Sequence, residues 1–214
     1  YNGSVANSPH VVADGNGGAF VIYRIGTNIY GKRVGGSGTL DIGSPSTNVG
    51  VLTGTGAIRD VQTVTSPATI QRVFVLYENG GNVYLTERNA ALGSVFSVLL
   101  GAGSGSVLAL DHSGDPNPIV AYVNASNDIV VTRRNFTTGA NVTTYTIPTG
   151  TNAYWPATTI LSLSIAPGGN GGCVVSWIDD RYYANMGLSA FTQSFSAAMV
   201  PEQDSDSSAA TDYT

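Results

Sequence analysis

The sequence predicts an all-β fold of about four repeated units, each of four antiparallel strands, in a β-propeller-like arrangement. Three observations lead there. An apolar pentapeptide recurs as "FVIYR" (Phe20–Arg24), "FVLYE" (Phe74–Glu78), "IVAYV" (Ile119–Val123) and "VVSWI" (Val174–Ile178). The aromatic in its fourth place (Tyr23, Tyr77, Tyr122, Trp177) returns after 54, 45 and 55 residues. No window of useful length carries a 3.6-residue apolar period, so almost no helix is expected. Four-strand units repeating at this length match propeller blades.

Each unit reads the same way. A first strand comes from "HVVAD" (His10–Asp14), "DVQTV" (Asp60–Val64), "VLALD" (Val107–Asp111) and "LSLSI" (Leu161–Ile165). The second is the pentapeptide, apolar at nearly every place, as in a strand buried on both faces. The third, "NIYGKRV" (Asn28–Val34) in the first unit, alternates: Ile29, Gly31 and Arg33 face one way, Tyr30, Lys32 and Val34 the other. Its counterparts are "NVYLTER" (Asn82–Arg88), "DIVVTRR" (Asp128–Arg134) and "GLSAFTQ" (Gly187–Gln193). Short links such as "NGG" (Asn79–Gly81) make the second and third strands hairpins. A weaker fourth strand falls at Gly38–Gly43, Gly93–Leu100, Gly139–Ile147 and Ser194–Val200. The repeat domain spans residues 1–200, with units at about 9–55, 56–102, 103–150 and 157–200, and an acidic linker or tail at 201–214. The units either close into a four-bladed ring or form an arc of a larger one. An open arc needs a partner over its end faces.

Composition narrows the function classes. The chain has 214 residues, 42% hydrophobic, but only 11% charged, with a net charge of −5. Polarity is carried by Gly, Ser, Thr and Asn, as in extracellular or cell-surface β proteins. The basic residues are scattered along the chain, so nucleic acid is not an expected partner. No stretch approaches the ~18 apolar residues of a membrane-spanning helix. The single cysteine, Cys173, admits no intrachain disulfide and reads as a small buried hydrophobe. The chain begins at Tyr1 without a leader, so either one was removed or the chain is a piece of a longer polypeptide.

"SPHVVADGNGGAFVIYR…NIYGKRV" and "GGNGGCVVSWIDDR…LSAFTQ" together resemble the β-propeller blade repeats of large secreted or cell-surface bacterial proteins. In that family an apolar strand, Asp-Gly-x-Gly-Gly, an apolar strand ending in Trp with a following Asp and Arg, and a strand like "IYAQR" succeed one another. The resemblance covers the first and last units; the middle two match in apolar pattern alone. It implies a modular extracellular protein with binding or adhesive roles and no catalytic residues.

Four candidate sites follow. Asp14 and Asn16, in Asp14-Gly15-Asn16-Gly17-Gly18, place oxygens at alternate positions, as calcium loops do. The oxygens recur poorly in the equivalent loops, which favours a plain turn over a Ca2+ site. The second candidate is Trp177, Asp179, Asp180, Arg181, Tyr182 and Tyr183. Here the passage from the aromatic to the third strand is longer than elsewhere, and Tyr and Arg suit recognition surfaces; Asp179 and Arg181 could equally pair and hold the loop. Third, Arg33, Arg88, Arg133 and Arg134 end third strands, where an anion site competes with exposed charges that discourage edge pairing. His10 and His112 lack the spacing of a metal or triad site. The reading that follows is a non-catalytic extracellular binding or adhesion module, part of a larger assembly, with a protein or glycan partner. A carbohydrate-active enzyme or lectin on a propeller scaffold is the alternative; a structural repeat of a filament or surface layer is a further one.

Overall fold

Runs of β-branched and aromatic residues broken by glycine and asparagine turns fold as antiparallel meanders. The computed structural model describes residues 6–42, 49–52, 56–64, 71–110, 116–149, 159–169, 171–180 and 188–202. Among them there is no helix, so none long and apolar enough to cross a membrane. The chain divides into two compact units, Tyr1–Gly101 with Thr137–Gly139, and Ala102–Phe136 with Ala140–Thr214.

In the first unit, β1 (Ala6–Ala13), β2 (Ala19–Ile25) and β3 (Asn28–Val34) form a meander. β4 (Leu40–Ile42) pairs with Arg33 and Val34, and β5 (Val49–Leu52) with Ile29 to Gly31. These two pieces make one interrupted fourth strand. A second sheet contains β6 (Ala57–Val64), β7 (Arg72–Asn79), β8 (Asn82–Asn89) and the start of β9 (Ser94–Ala109). The β7–β8 turn is Gly80-Gly81, with φ of 58° and 76°. Both places need the left-handed region that glycine enters freely.

In the second unit, the end of β9 pairs with β10 (Ile119–Asn124), followed by β11 (Ile129–Arg134) and β12 (Asn141–Ile147). A further sheet holds β13 (Ile160–Gly169), β14 (Gly172–Asp179) and β15 (Ser189–Phe195).

Two strand assignments are corrected. Gly93–Leu100 and Val107–Asp111, expected as separate strands, are joined in β9. The glycine-rich stretch between them continues the strand; Gly105 (φ 62°) and a register shift between Ala121 and Val123 accommodate the irregularity. Nor is Ser194–Val200 a fourth strand. Ser194 and Phe195 finish β15, and a turn closes with Ser196 N–H donating to Val200 O at 3.0 Å. Pro201 then bridges to Phe195, and Glu202 N–H donates to Ser194 O at 3.0 Å. The segment expected to begin a tail thus pairs back on β15; residues 203–214 lie outside the described residues.

The repeated aromatic gains a cross-strand partner in three of four copies. Tyr23 stacks on Tyr30 (6.1 Å between centroids), Tyr77 on Tyr84 (5.1 Å) and Trp177 on Phe191 (5.6 Å). Tyr122 faces Val130. In the first unit, Phe20, Ile22 and Ile29 pack on Val73, Val75 and Tyr77. In the second, Ile119, Ala121, Ile129 and Val131 pack on Cys173, Val175 and Trp177. Each core therefore joins the aromatic-bearing face of the later sheet to the opposite face of the earlier one. Cys173 sits inside, and burial pushes its thiol up to about 12, against a smaller opposing effect of Arg133. It is an inert apolar side chain at neutral pH.

Candidate functional site

The Asp14–Gly18 turn is built around one carboxylate. Asp14 is buried. Its Oδ1 accepts from the N–H groups of Asn16 and Gly18, both at 2.8 Å. Its Oδ2 accepts from Arg33 Nε at 3.0 Å and Nη2 at 2.8 Å. Arg33 in turn lies over the Phe20 ring, 5.7 Å from its centroid. Burial alone would raise the Asp14 carboxyl, but the Asn16, Arg33 and Gly18 donors together hold it below the ordinary aspartate value. Asn16 contributes its backbone to this cap. Among the described residues no three His, Cys, Asp or Glu side chains are grouped to hold a metal ion. Gly18 is confined by the same construction: a Cβ there would stand 2.3 Å from Val34 O and 2.7 Å from Asp14 Oδ2. Gly18→Ala is expected to cost about 3 kcal/mol through this overpacking, seen as a lower urea midpoint at unchanged slope.

The equivalent place in the second sheet carries the same bond with its charges exchanged. Arg33 stands three residues beyond Tyr30, and Glu87 three beyond Tyr84. Glu87 accepts at Oε1 from Arg72 Nη1 at 2.7 Å, and Arg72 opens the second strand of its sheet. Glu87 is fully buried, and its Oε2 has no hydrogen-bond partner. Burial pushes its carboxyl up to about 7, against the pull of Arg72. The Arg59–Glu78 pair at 2.6 Å is half in solvent on the arginine side and contributes little.

The third-strand arginines are not the exposed charges expected. β3, β8 and β11 each have a neighbour on both sides, so they are not edges that need guarding. Arg88 and Arg133 are 7% and 6% exposed. Arg133 donates through Nη1 to the carbonyl of Ala197. His10 lies half-buried in β1; His112 and Asp111 lie outside the described residues.

After Trp177 the structure describes the chain as far as Asp180 and again from Leu188. Trp177 is in the core and donates its Nε1–H to Asp179 Oδ2 at 3.0 Å. Asp179 is itself fully buried. Asp180, its neighbour, turns elsewhere and accepts from Thr159 N–H at 2.6 Å. The structure therefore brings Trp177 and Asp179 together and gives Asp180 a different partner. Arg181, Tyr182 and Tyr183 lie outside the described residues. Thr159 and Phe191 are missing from the candidate set derived from sequence. The seven-residue step from Tyr23 to Tyr30 and from Tyr77 to Tyr84 points to Phe191 once the loop's extra residues are removed.

No family model matches the chain, and no curated protein matches it. Solved structures of glycoside hydrolases do. A GH43 glycoside hydrolase engineered for both endo-xylanase and exo-arabinofuranosidase activity is 12% identical, with a TM-score of 0.47; the match covers 95% of this chain and 40% of that one. An endo-1,4-β-xylanase from Bacteroides thetaiotaomicron is 14% identical at a TM-score of 0.42, covering 94% of this chain and 75% of that one. A GH43 protein from Bacillus licheniformis is 12% identical at 0.41, covering 95% and 44%. The chain thus spans less than half the length of two of these three. At these scores and identities the likeness carries no residue role across. The expectation of a non-catalytic adhesion module is corrected to this extent: these neighbours are carbohydrate-active enzymes and none of them is an adhesion module.

Proposed function

We propose that the chain is the propeller-like part of a carbohydrate-active protein, with glycan contacts made by the loop between β14 and β15. Its length supports this most. Residues 26–27, 80–81 and 125–128 suffice to join the second and third strands of the other units, whereas 180–188 intervene here. The base of the loop is pinned by Trp177 to Asp179 and by Thr159 to Asp180. A long loop on a rigid base is a common place for function. Arg181, Tyr182 and Tyr183 supply a guanidinium and two phenols, groups that stack on sugar rings and bond their hydroxyls. In this reading four blade-like units, about 9–55, 56–102, 103–150 and 157–200, form the scaffold of an extracellular protein, in keeping with its 11% charged residues. Xylo- and arabinoxylo-oligosaccharides are the first ligands to try, since xylanase and arabinofuranosidase activities belong to the structural neighbours.

The test combines titration calorimetry with reducing-end release on those oligosaccharides. Release of ends separates an enzyme from a lectin. Joint replacement of Arg181, Tyr182 and Tyr183 by alanine should weaken binding at least about tenfold, 1.4 kcal/mol, with the melting temperature nearly unchanged. If the unaltered chain neither binds nor cleaves any glycan, or the triple variant behaves as the parent does, the proposal fails.

A further inference from the structure

Arg88 is a buried guanidinium with no counter-charge among the described residues. It lies at the end of β8, four residues beyond Tyr84, on the sheet face that carries Tyr77 and Tyr84. It is 7% exposed, its Nε is enclosed without an acceptor, and no ion pair reaches it among the described residues. Every carboxylate within residues 56–101 is already engaged. Asp60 accepts from Val61 N–H and Gln62 Nε2, Glu78 from Arg59, and Glu87 from Arg72. Glu87, next in sequence, belongs to the opposite face, since successive strand residues alternate. The other arginines of this unit do have acceptors: Asp14 for Arg33, Glu78 for Arg59, Glu87 for Arg72 and the Gly56 carbonyl for Arg24. Arg88 has no such acceptor among the described residues, although the Nε of Arg24 is enclosed without one as well. A buried charge with no partner is strongly unfavourable, and such groups are found paired.

We propose that Arg88 anchors a binding site for a small carboxylate, which supplies the missing counter-charge. The guanidinium presents a planar fork of N–H donors that matches the two oxygens of one carboxylate, and a single fork balances a single negative charge. The phenol of Tyr77 is close enough to Arg88 to interact with it electrostatically. In the second unit Arg134 repeats the arrangement in outline. It stands four residues beyond Val130, the cross-strand partner of Tyr122, and its Nε is likewise enclosed without an acceptor. The sugar acids, with a carboxylate on a pyranose ring, are the carbohydrate members of this ligand class. The inference does not rest on the glycan-loop reading: failure of neutral xylo-oligosaccharides to bind leaves it intact.

Thermal melting of the whole chain with glucuronate, acetate and glucose tests it. Glucuronate and acetate should raise the melting temperature saturably, and glucose should not. A larger effect of glucuronate identifies a sugar acid as the ligand, and equal effects identify a simple carboxylate. Arg88→Gln should weaken the apparent affinity for the carboxylates about tenfold or more. It should also leave the unliganded melting temperature unchanged or higher, because it removes the uncompensated charge. Arg88→Lys, which keeps the charge and loses the fork, should fall between. Absence of a saturable carboxylate response in the unaltered chain overturns the proposal. So does an Arg88→Gln variant that responds as the parent does, or one that melts lower without ligand and shows no selective loss of carboxylate binding.

Discussion

Replacing Asp14 by alanine should destabilise the protein by about 3–5 kcal/mol, the range for removing one member of a buried ion pair. The side chain is nearly inaccessible and serves two structures at once. One oxygen closes the turn through the Asn16 and Gly18 N–H groups, and the other holds Arg33 against Phe20. Asp14→Asn keeps an oxygen for the turn and loses the charge, so its cost should be smaller. Denaturant midpoints for Asp14→Ala, Arg33→Ala and the double variant check the argument. If the pair acts as a unit, the double variant loses less than the sum of the singles; strict additivity would show that the bond contributes nothing. The pH dependence has a definite sign. Burial works against the Asp14 anion, but the donors prevail and hold its folded value below 3.8. Its stabilisation is therefore complete above the ordinary aspartate value and is lost as pH falls through the lowered one.

Glu87 should act in the opposite sense. Its carboxyl is raised by burial from 4.5 to about 7, so between those values the folded chain holds a proton that the unfolded chain has released. Stability should thus fall as pH rises through this window, by on the order of 3 kcal/mol in all, and level off above it. Glu87→Gln can still accept from Arg72 through its amide oxygen and cannot ionise. Urea unfolding between pH 4 and 8 should show a decline for the parent chain and a flat profile for this variant. Parallel profiles would locate the titration elsewhere. The two groups thus act from opposite ends, Asp14 withdrawing stability at low pH and Glu87 withdrawing it towards neutrality.

The repeat was legible because strand burial writes itself into composition. Four apolar pentapeptides with an aromatic in one place define the second strands, and short Gly and Asn links define the hairpins around them. Register was harder to read. The pairing of Tyr23 with Tyr30 is visible only when both strands are aligned, and the inserted loop hides the same step between Trp177 and Phe191. β9 was read as two strands because glycine and serine serve turns and extended chain equally well. Arg88 and Arg133 looked like solvent-facing strand ends, since a single strand does not reveal what lies over its faces. The long loop stood out by length alone. Its anchors did not, because Trp177 and Asp179 carry the residue types of a binding surface and are spent on holding the base. The Asp14–Arg33 bond joins two separately legible pieces of one motif across 19 residues.

The exchanged polarity of Asp14–Arg33 and Arg72–Glu87 bears on assembly as well as on stability. Chains made of similar hairpins risk pairing a strand with the wrong copy while they fold. Were β3 to settle on β7 in the register of β8, Arg33 would arrive beside Arg72. The reciprocal exchange would bring Glu87 towards Asp14. Both errors set like charges together where the correct partners set opposite ones, and such contacts discriminate strongly against the wrong partner. Two hairpins that share an apolar pattern are thereby given different addresses, and neighbouring copies can remain alike in their cores without becoming interchangeable.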